Sequence, residues 1–142
     1  MPRYVLLLGS NQDAEAALER ACAIIERNYG ILRIGAFLPS PDRDDADARP
    51  AYLNCALEIA SPLAVADLKL ALREIESTCG RIRPLPAPGV CAMDIDIALV
   101  FEHGAWRVND AKAVAPDYAQ AALSLWLASQ HVHTHATHAG LI

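Results

Sequence analysis

Ala51-Tyr52-Leu53-Asn54-Cys55-Ala56-Leu57-Glu58-Ile59-Ala60 alternates between two chemistries. Leu53, Cys55, Leu57 and Ile59 fall on one side, and Tyr52, Asn54, Ala56 and Glu58 on the other. That period of two predicts a strand with one face in a core. Its neighbours along the chain decide the fold. Immediately upstream, residues 31–38 form a second apolar, β-prone stretch, so two strands follow one another. Outside them lie two helical patterns. In the first, Ala14, Ala17, Leu18, Ala21, Ile24 and Ile25 recur at helical spacing, with Asn11 or Asp13 as cap and Gly30 as stop. In the second, Ser61-Pro62 opens a helix whose buried stripe is Leu68, Ala71, Leu72 and Ile75, and Gly80 ends it. Outermost are two more strands: the continuous apolar run at residues 3–8, and residues 90–101 around Met93-Asp94-Ile95-Asp96-Ile97-Ala98-Leu99-Val100.

Strand, helix, strand, strand, helix, strand is the split βαβ order of a ferredoxin-like α+β sandwich. It predicts an antiparallel sheet with both helices on one face. Two proline-bearing loops, residues 39–50 and 81–89, would lie over the other side. Residues 118–130 read as a further helix, followed by a polar tail, 131–142, rich in histidine. The chain of 142 residues, 54% of them hydrophobic, is expected to be one domain spanning 1–142, large enough to bury a core without staples.

The composition excludes several classes. Twelve basic residues face seventeen acidic ones for a net charge of −5, so binding to nucleic acid through bulk charge is not expected. No apolar run approaches the roughly 18 residues of a membrane span. The five-residue apolar run near the N-terminus, without a cleavage site, does not read as a signal peptide. A soluble, cytoplasmic protein is expected. Cys22, Cys55, Cys79 and Cys91 form no C-x-x-C pair and read as reduced thiols acting as small hydrophobes in or beside the core.

Four features bear chemistry. Asp94 and Asp96, two apart on a strand, project from the same face, while Ile95, Ile97 and Leu99 keep the strand otherwise apolar. Paired carboxylates repel, and a divalent cation relieves the repulsion; hard oxygens suit magnesium, which commonly bridges to phosphates. Two acids at a sheet edge, each paired with an arginine, account for the spacing equally well. In Gly80-Arg81-Ile82-Arg83 two guanidinium groups follow a helix, placed to hold polyphosphate oxygens or simply to face solvent at a helix C-terminus. Tyr52 can stack on a flat ring, and Asn54 offers donor and acceptor to a heterocycle edge; the plain alternative is a polar strand face. In Leu8-Gly9-Ser10-Asn11, Gly9 permits a tight bend at a helix N-terminus. There is no P-loop and no G-x-G-x-x-G.

Tyr4-Val5-Leu6-Leu7-Leu8-Gly9-Ser10-Asn11, Tyr52-Leu53-Asn54-Cys55-Ala56, Ile75-Glu76-Ser77-Thr78-Cys79-Gly80-Arg81-Ile82-Arg83 and Met93-Asp94-Ile95-Asp96-Ile97 occur in that order. Together they resemble the signatures of the hydroxymethyl-dihydropterin pyrophosphokinase family of folate biosynthesis, over residues from about 4 to 101. The resemblance implies the ferredoxin-like fold and Mg²⁺-dependent transfer of pyrophosphate from the co-substrate ATP to the hydroxymethyl group of a reduced pterin. It implies that Asp94 and Asp96 hold two magnesium ions, and that Gly9, Tyr52 and Asn54 lie on the pterin side. It places Glu76, Arg81, Arg83, Ile97 and Tyr118 on the ATP side, with Arg81 and Arg83 joining the two aspartates as catalytic groups. The chain departs from the family in Val90-Cys91-Ala92, where the family has Pro-Arg-Thr, and in Asp117-Tyr118, where it has His-Tyr.

Two further readings stand beside this one. A relative that binds pterin, nucleotide or metal without transferring pyrophosphate would keep the same motifs. His131, His133 and His135 on a strand, or His131, His135 and His138 on a helix, could hold zinc, copper or nickel, although a frayed polar terminus is the expectation for them.

Overall fold

Along the chain of the computed structural model the elements are β1 (Arg3–Ser10), α1 (Ala14–Tyr29), β2 (Ile31–Ile34), β3 (Leu38–Ser40), β4 (Tyr52–Ala60), α2 (Val65–Thr78), β5 (Asp94–Glu102), β6 (Ala105–Val108), α3 (Ala111–Val114) and α4 (Asp117–Ala128). The structure describes residues 1–40, 52–81 and 91–130. The strands form one antiparallel sheet in the order β2-β4-β1-β5-β6, with β3 also paired to β4. The expected α+β architecture is present.

Alternation along the three central strands builds the main core. Tyr4, Leu6 and Leu8 of β1, Cys55, Leu57 and Ile59 of β4, and Ile95 and Ile97 of β5 pack under α1 and α2. The helices supply Leu18, Ala21 and Ile25 from α1 and Leu68, Leu72 and Ile75 from α2. Each fully buried leucine here stabilises by about 2 kcal/mol.

The other face of the same strands is covered in part by α4. Val5, Leu7, Ala56 and Ala98 meet Ala119, Ala122 and Trp126 there. The small side chains on both layers let the helix sit close to the sheet. Gly35 takes this furthest, since a Cβ at that position would lie 2.7 Å from the backbone nitrogen of Trp126. The stretch expected as one strand at 31–38 is accordingly two short strands flanking residues 35–37, and the Gly35 N–H donates to the Ala56 carbonyl at 2.9 Å. A helix, rather than loops alone, thus covers this face; most of each proline-bearing loop lies outside the described residues.

Other local readings change. Pro39, expected in a loop, sits in β3, exposed and opposite Leu53; an edge position spares a residue that lacks an N–H. Ser61 caps a turn instead of a helix: its Oγ accepts from the Leu63 N–H, and α2 starts at Val65. Asp13 occupies the cap of α1 in a left-handed conformation, φ 48, without a side-chain bond to the helix. Gly9 makes no bend, because β1 runs straight through it to Ser10. Between β1 and β5 the register skips one residue, so Leu99 packs toward the α4 side instead of staying in line with Ile95 and Ile97. The histidine tail lies outside the described residues.

Candidate active site

Asp94 and Asp96 stand on the sheet face that α4 shares, Asp96 beside Leu7 of the α4 cluster and Asp94 beside Gly9, one pleat further from it. Register places them one pleat apart: Asp94 opposite Gly9, and Asp96 opposite Leu7. Gly9 in turn pairs with Asn54, so Asn54, Gly9 and Asp94 form one row across three strands. At the usual strand spacing the outer two are roughly 10 Å apart. The Asp94 side chain is 45% exposed. Asp96 is half-buried, and its carboxyl is pushed up to about 8. Burial is the leading cause, followed by the charge of Asp94 and a hydrogen bond to it, then by Asp110 and Glu76. At neutral pH Asp96 therefore holds a proton unless a cation replaces it.

The edge of β5 beside these acids has an unusual construction. β6 pairs with Leu99 to Glu102, and among the described residues no strand flanks the first half of β5 on that side. Side chains take the strand's place. The buried Glu76 carboxylate of α2 accepts from the Ile95 N–H at 2.7 Å. The Asn109 side-chain amide donates to the Ile97 carbonyl at 2.9 Å. Arg81, just past α2, donates from Nη1 to the Met93 carbonyl at 2.9 Å and to Asp94 Oδ1 at 3.4 Å. The same nitrogen lies 3.3 Å from the buried Cys91 sulfur. The approach to β5 is tied down from the other side by Asn11, which exchanges backbone and side-chain bonds with Cys91 at 3.0 and 2.7 Å.

On the β4 side Asn54 is buried and fixed. Its amide nitrogen donates to Ser40 Oγ at 2.8 Å and to the Leu38 carbonyl at 3.3 Å. Its Oδ1 faces Gly9, where an added Cβ would come within 3.1 Å of it and 3.6 Å of the Tyr52 ring. The sequence offered Asn54 as both donor and acceptor; the structure commits the donor to β3 and leaves the acceptor over the site. Gly9 contributes room, since any side chain there would press on Asn54 and Tyr52.

The family model described as 7,8-dihydro-6-hydroxymethylpterin-pyrophosphokinase (HPPK) matches residues 5–135. The chain belongs to this family. The match continues through α3 and α4, beyond the motifs that carried the resemblance. A search of curated proteins found no match. Pterin pyrophosphokinases act in folate biosynthesis on small-molecule substrates and work with ATP and Mg²⁺.

Set against that family, the expected residues divide. Asp94, Asp96, Gly9, Asn54 and Tyr52 come together on one sheet face. Glu76 and Arg81 reach the same end of β5 from the helix side. Ile97 turns its side chain into the main core, away from the acids. Tyr118 stands on the first turn of α4, 38% exposed. Arg83 lies outside the described residues. Where the family carries an arginine, Cys91 is buried beneath Arg81.

Sequence reading missed Asn109 and Asp110, which join β6 to α3, and it read Asn11 as a helix cap or part of a bend rather than as the tie to Cys91. Asp110 caps α3 by accepting from the Lys112 and Ala113 N–H groups at 3.1 Å, and its charge also reaches Asp96. An aspartate directly before a short helical stretch was the available signal.

The donor set fits magnesium. No group of three or more ligating side chains occurs among the described residues. Magnesium, however, commonly takes one or two carboxylates and completes its shell with water and phosphate. Among those residues, no helix is long and apolar enough to cross a membrane.

Proposed function

We propose that this chain transfers pyrophosphate from ATP to the hydroxymethyl group of a reduced pterin, with magnesium held at Asp94 and Asp96. The observation that carries the reading is the row of Asn54, Gly9 and Asp94, with Asp96 one pleat further along β5, on one face of the sheet. It puts a heterocycle acceptor and a cation-seeking acid pair on one surface, in a chain of the matching family.

In this reading Asn54 Oδ1 accepts from a pterin N–H while Tyr52 stacks on the ring. Asp94 and Asp96 hold two magnesium ions, which when bound neutralise the polyphosphate oxygens. Arg81 is a positioning residue, fixing Asp94 and the Met93 carbonyl at the start of β5. Arg83 supplies charge to the phosphates, Glu76 and Tyr118 border the nucleotide, and Ile97, its side chain in the core, contributes only its backbone there. The hydroxymethyl oxygen bonds to the β-phosphorus, the bond from that phosphorus to the α-phosphate oxygen breaks, and AMP departs while the hydroxyl proton is lost. The protein acts in the cytoplasm, on small molecules and without nucleic acid.

The test is AMP release. Incubation with ATP, Mg²⁺ and hydroxymethyl-dihydropterin yields AMP and the pterin pyrophosphate, and Asp96→Ala abolishes both. If the wild-type chain binds pterin by calorimetry yet releases no AMP, it is a binding protein that has lost the transfer step.

A further inference from the structure

Cys91 is held on every side that the site could use. The Cys91 N–H donates to Asn11 Oδ1 at 2.7 Å, and the Asn11 N–H donates to the Cys91 carbonyl at 3.0 Å. The Ser10 hydroxyl donates to the same carbonyl at 3.5 Å. Ser10, Asn11 and Cys91 are all buried. Ser10 ends β1, the middle strand of the sheet, so the most enclosed strand fixes the position of Cys91.

The Cys91 sulfur in turn meets Arg81, whose backbone is set by the end of α2. Gly80 turns the chain there with φ 101, and the Arg81 N–H donates to the Glu76 carbonyl at 2.9 Å. Arg81 Nη1 then serves three acceptors: the Met93 carbonyl at 2.9 Å, Cys91 Sγ at 3.3 Å and Asp94 Oδ1 at 3.4 Å. Arg81 Nε is buried with no partner among the described residues, which puts weight on the contacts of Nη1. Sulfur is a weak acceptor, yet here it lies closer to Nη1 than the carboxylate does. A buried donor is costly to leave without an acceptor, so the sulfur does more than fill space.

We propose that Cys91 is a positioning residue: pinned by Asn11, its sulfur seats Arg81 so that the guanidinium keeps Asp94 in place for a divalent cation. The inference rests on the reading of Asp94 and Asp96 as magnesium ligands. Hydrogen bonds to a ligating carboxylate fix its orientation, and losing such a partner commonly costs about 10–100-fold in metal affinity. Where the family brings a second arginine, this chain uses the position to orient the first.

Cys91→Ser and Cys91→Ala in the full-length protein separate this role from that of a small hydrophobe. A hydrophobe's place tolerates alanine better than a buried hydroxyl. A seat for Arg81 reverses the order, because serine keeps an acceptor for Nη1. Calorimetric titration with magnesium chloride should give Cys91→Ser an affinity within about twofold of wild type, and Cys91→Ala one about tenfold weaker or more. Nuclear magnetic resonance without metal should show the Arg81 Nε–H exchanging with solvent about tenfold faster in Cys91→Ala than in wild type or Cys91→Ser. If the wild-type chain binds no Mg²⁺, the reading of the acids fails, while the exchange rates still decide whether Cys91 seats Arg81. Equal exchange rates in the two variants overturn the proposal, as does a faster rate in Cys91→Ser. So does a Cys91→Ala affinity equal to that of a magnesium-binding wild type. If neither variant folds, alkylation decides: Arg81→Ala should open Cys91 to iodoacetamide while the buried Cys55 stays unlabelled, and an unchanged rate at Cys91 overturns the proposal.

Discussion

β1, β4 and β5 each serve two surfaces, and the surfaces are built differently. Toward α1 and α2, Leu6, Leu57 and Ile97 are closed off in a continuous apolar layer. Toward α4 the same strands present Leu7, Ala56 and Ala98, and at one end Gly9, Asn54, Asp94 and Asp96. Period-two alternation makes this possible, because stability is concentrated on one side while the other keeps groups that fit poorly in a folded protein. Asp96 shows the consequence. Its unfolded-state value is near 3.9, and its folded-state value is about 8. The folded chain therefore binds the extra proton, and without a cation its stability falls as pH rises from about 4 through about 8.

The largest effect should separate the faces by sign. Asp96→Asn is expected to lower AMP formation by about 10²–10³-fold or more, in line with loss of a group that organises transition-state charge. The same change should raise the melting temperature of the unliganded protein at pH 8 and leave it nearly unchanged at pH 4. Leu57→Ala, on the sealed face and fully buried, should do the reverse in stability, costing about 3 kcal/mol in denaturant unfolding. If both variants destabilise equally at pH 8, the two faces are not specialised as described.

The sealed face was legible in the sequence because it obeys local rules. Cys55, Leu57 and Ile59 alternate, and Leu68, Leu72 and Ile75 recur at helical spacing, so pattern alone identified them. The acid pair and Asn54 were legible for the same reason: their positions on strands fixed their face. What escaped was set by contacts distant in sequence. Gly35 divides a stretch that reads as one strand, and it lies against α4, some 90 residues later. β6 is four exposed residues with no alternation to read. The inward turn of Arg81 onto Met93, Asp94 and Cys91 is a contact between residues 10 to 13 apart that no spacing reveals.

Gly35 offers a sharper comparison, because it belongs to the covered part of the α4 face. Gly35→Ala would place a methyl group 2.7–2.9 Å from backbone atoms of Trp126 and Leu125, which cannot rotate away. The expected cost is about 2 kcal/mol, read as a lower denaturant midpoint at unchanged slope. Folded Gly35→Ala should keep wild-type affinity for Mg²⁺ by calorimetry, since the groups that bear on Asp96 are Asp94, Asp110 and Glu76, none of them in α4. A fall in that affinity would show that the covered part of the face and the acid pair are coupled.

The smallest effect concerns Glu76, which belongs to both surfaces: it grows from α2, yet its carboxylate holds the Ile95 N–H beside the acids. Glu76→Gln keeps an oxygen acceptor for that N–H and removes the charge, so stability should change by about 1 kcal/mol or less. The charge of Glu76 is the weakest of the causes that raise Asp96. Removing it should lower the pH at which Asp96 releases its proton. Magnesium competes with that proton, so affinity for Mg²⁺ rises with pH through about 8 in the wild-type chain, and the midpoint of the rise should move to lower pH in Glu76→Gln. Calorimetric titration across pH 6 to 9 measures it. A midpoint that moves upward would mean that Glu76 acts on the acids through the geometry of β5 rather than through its charge.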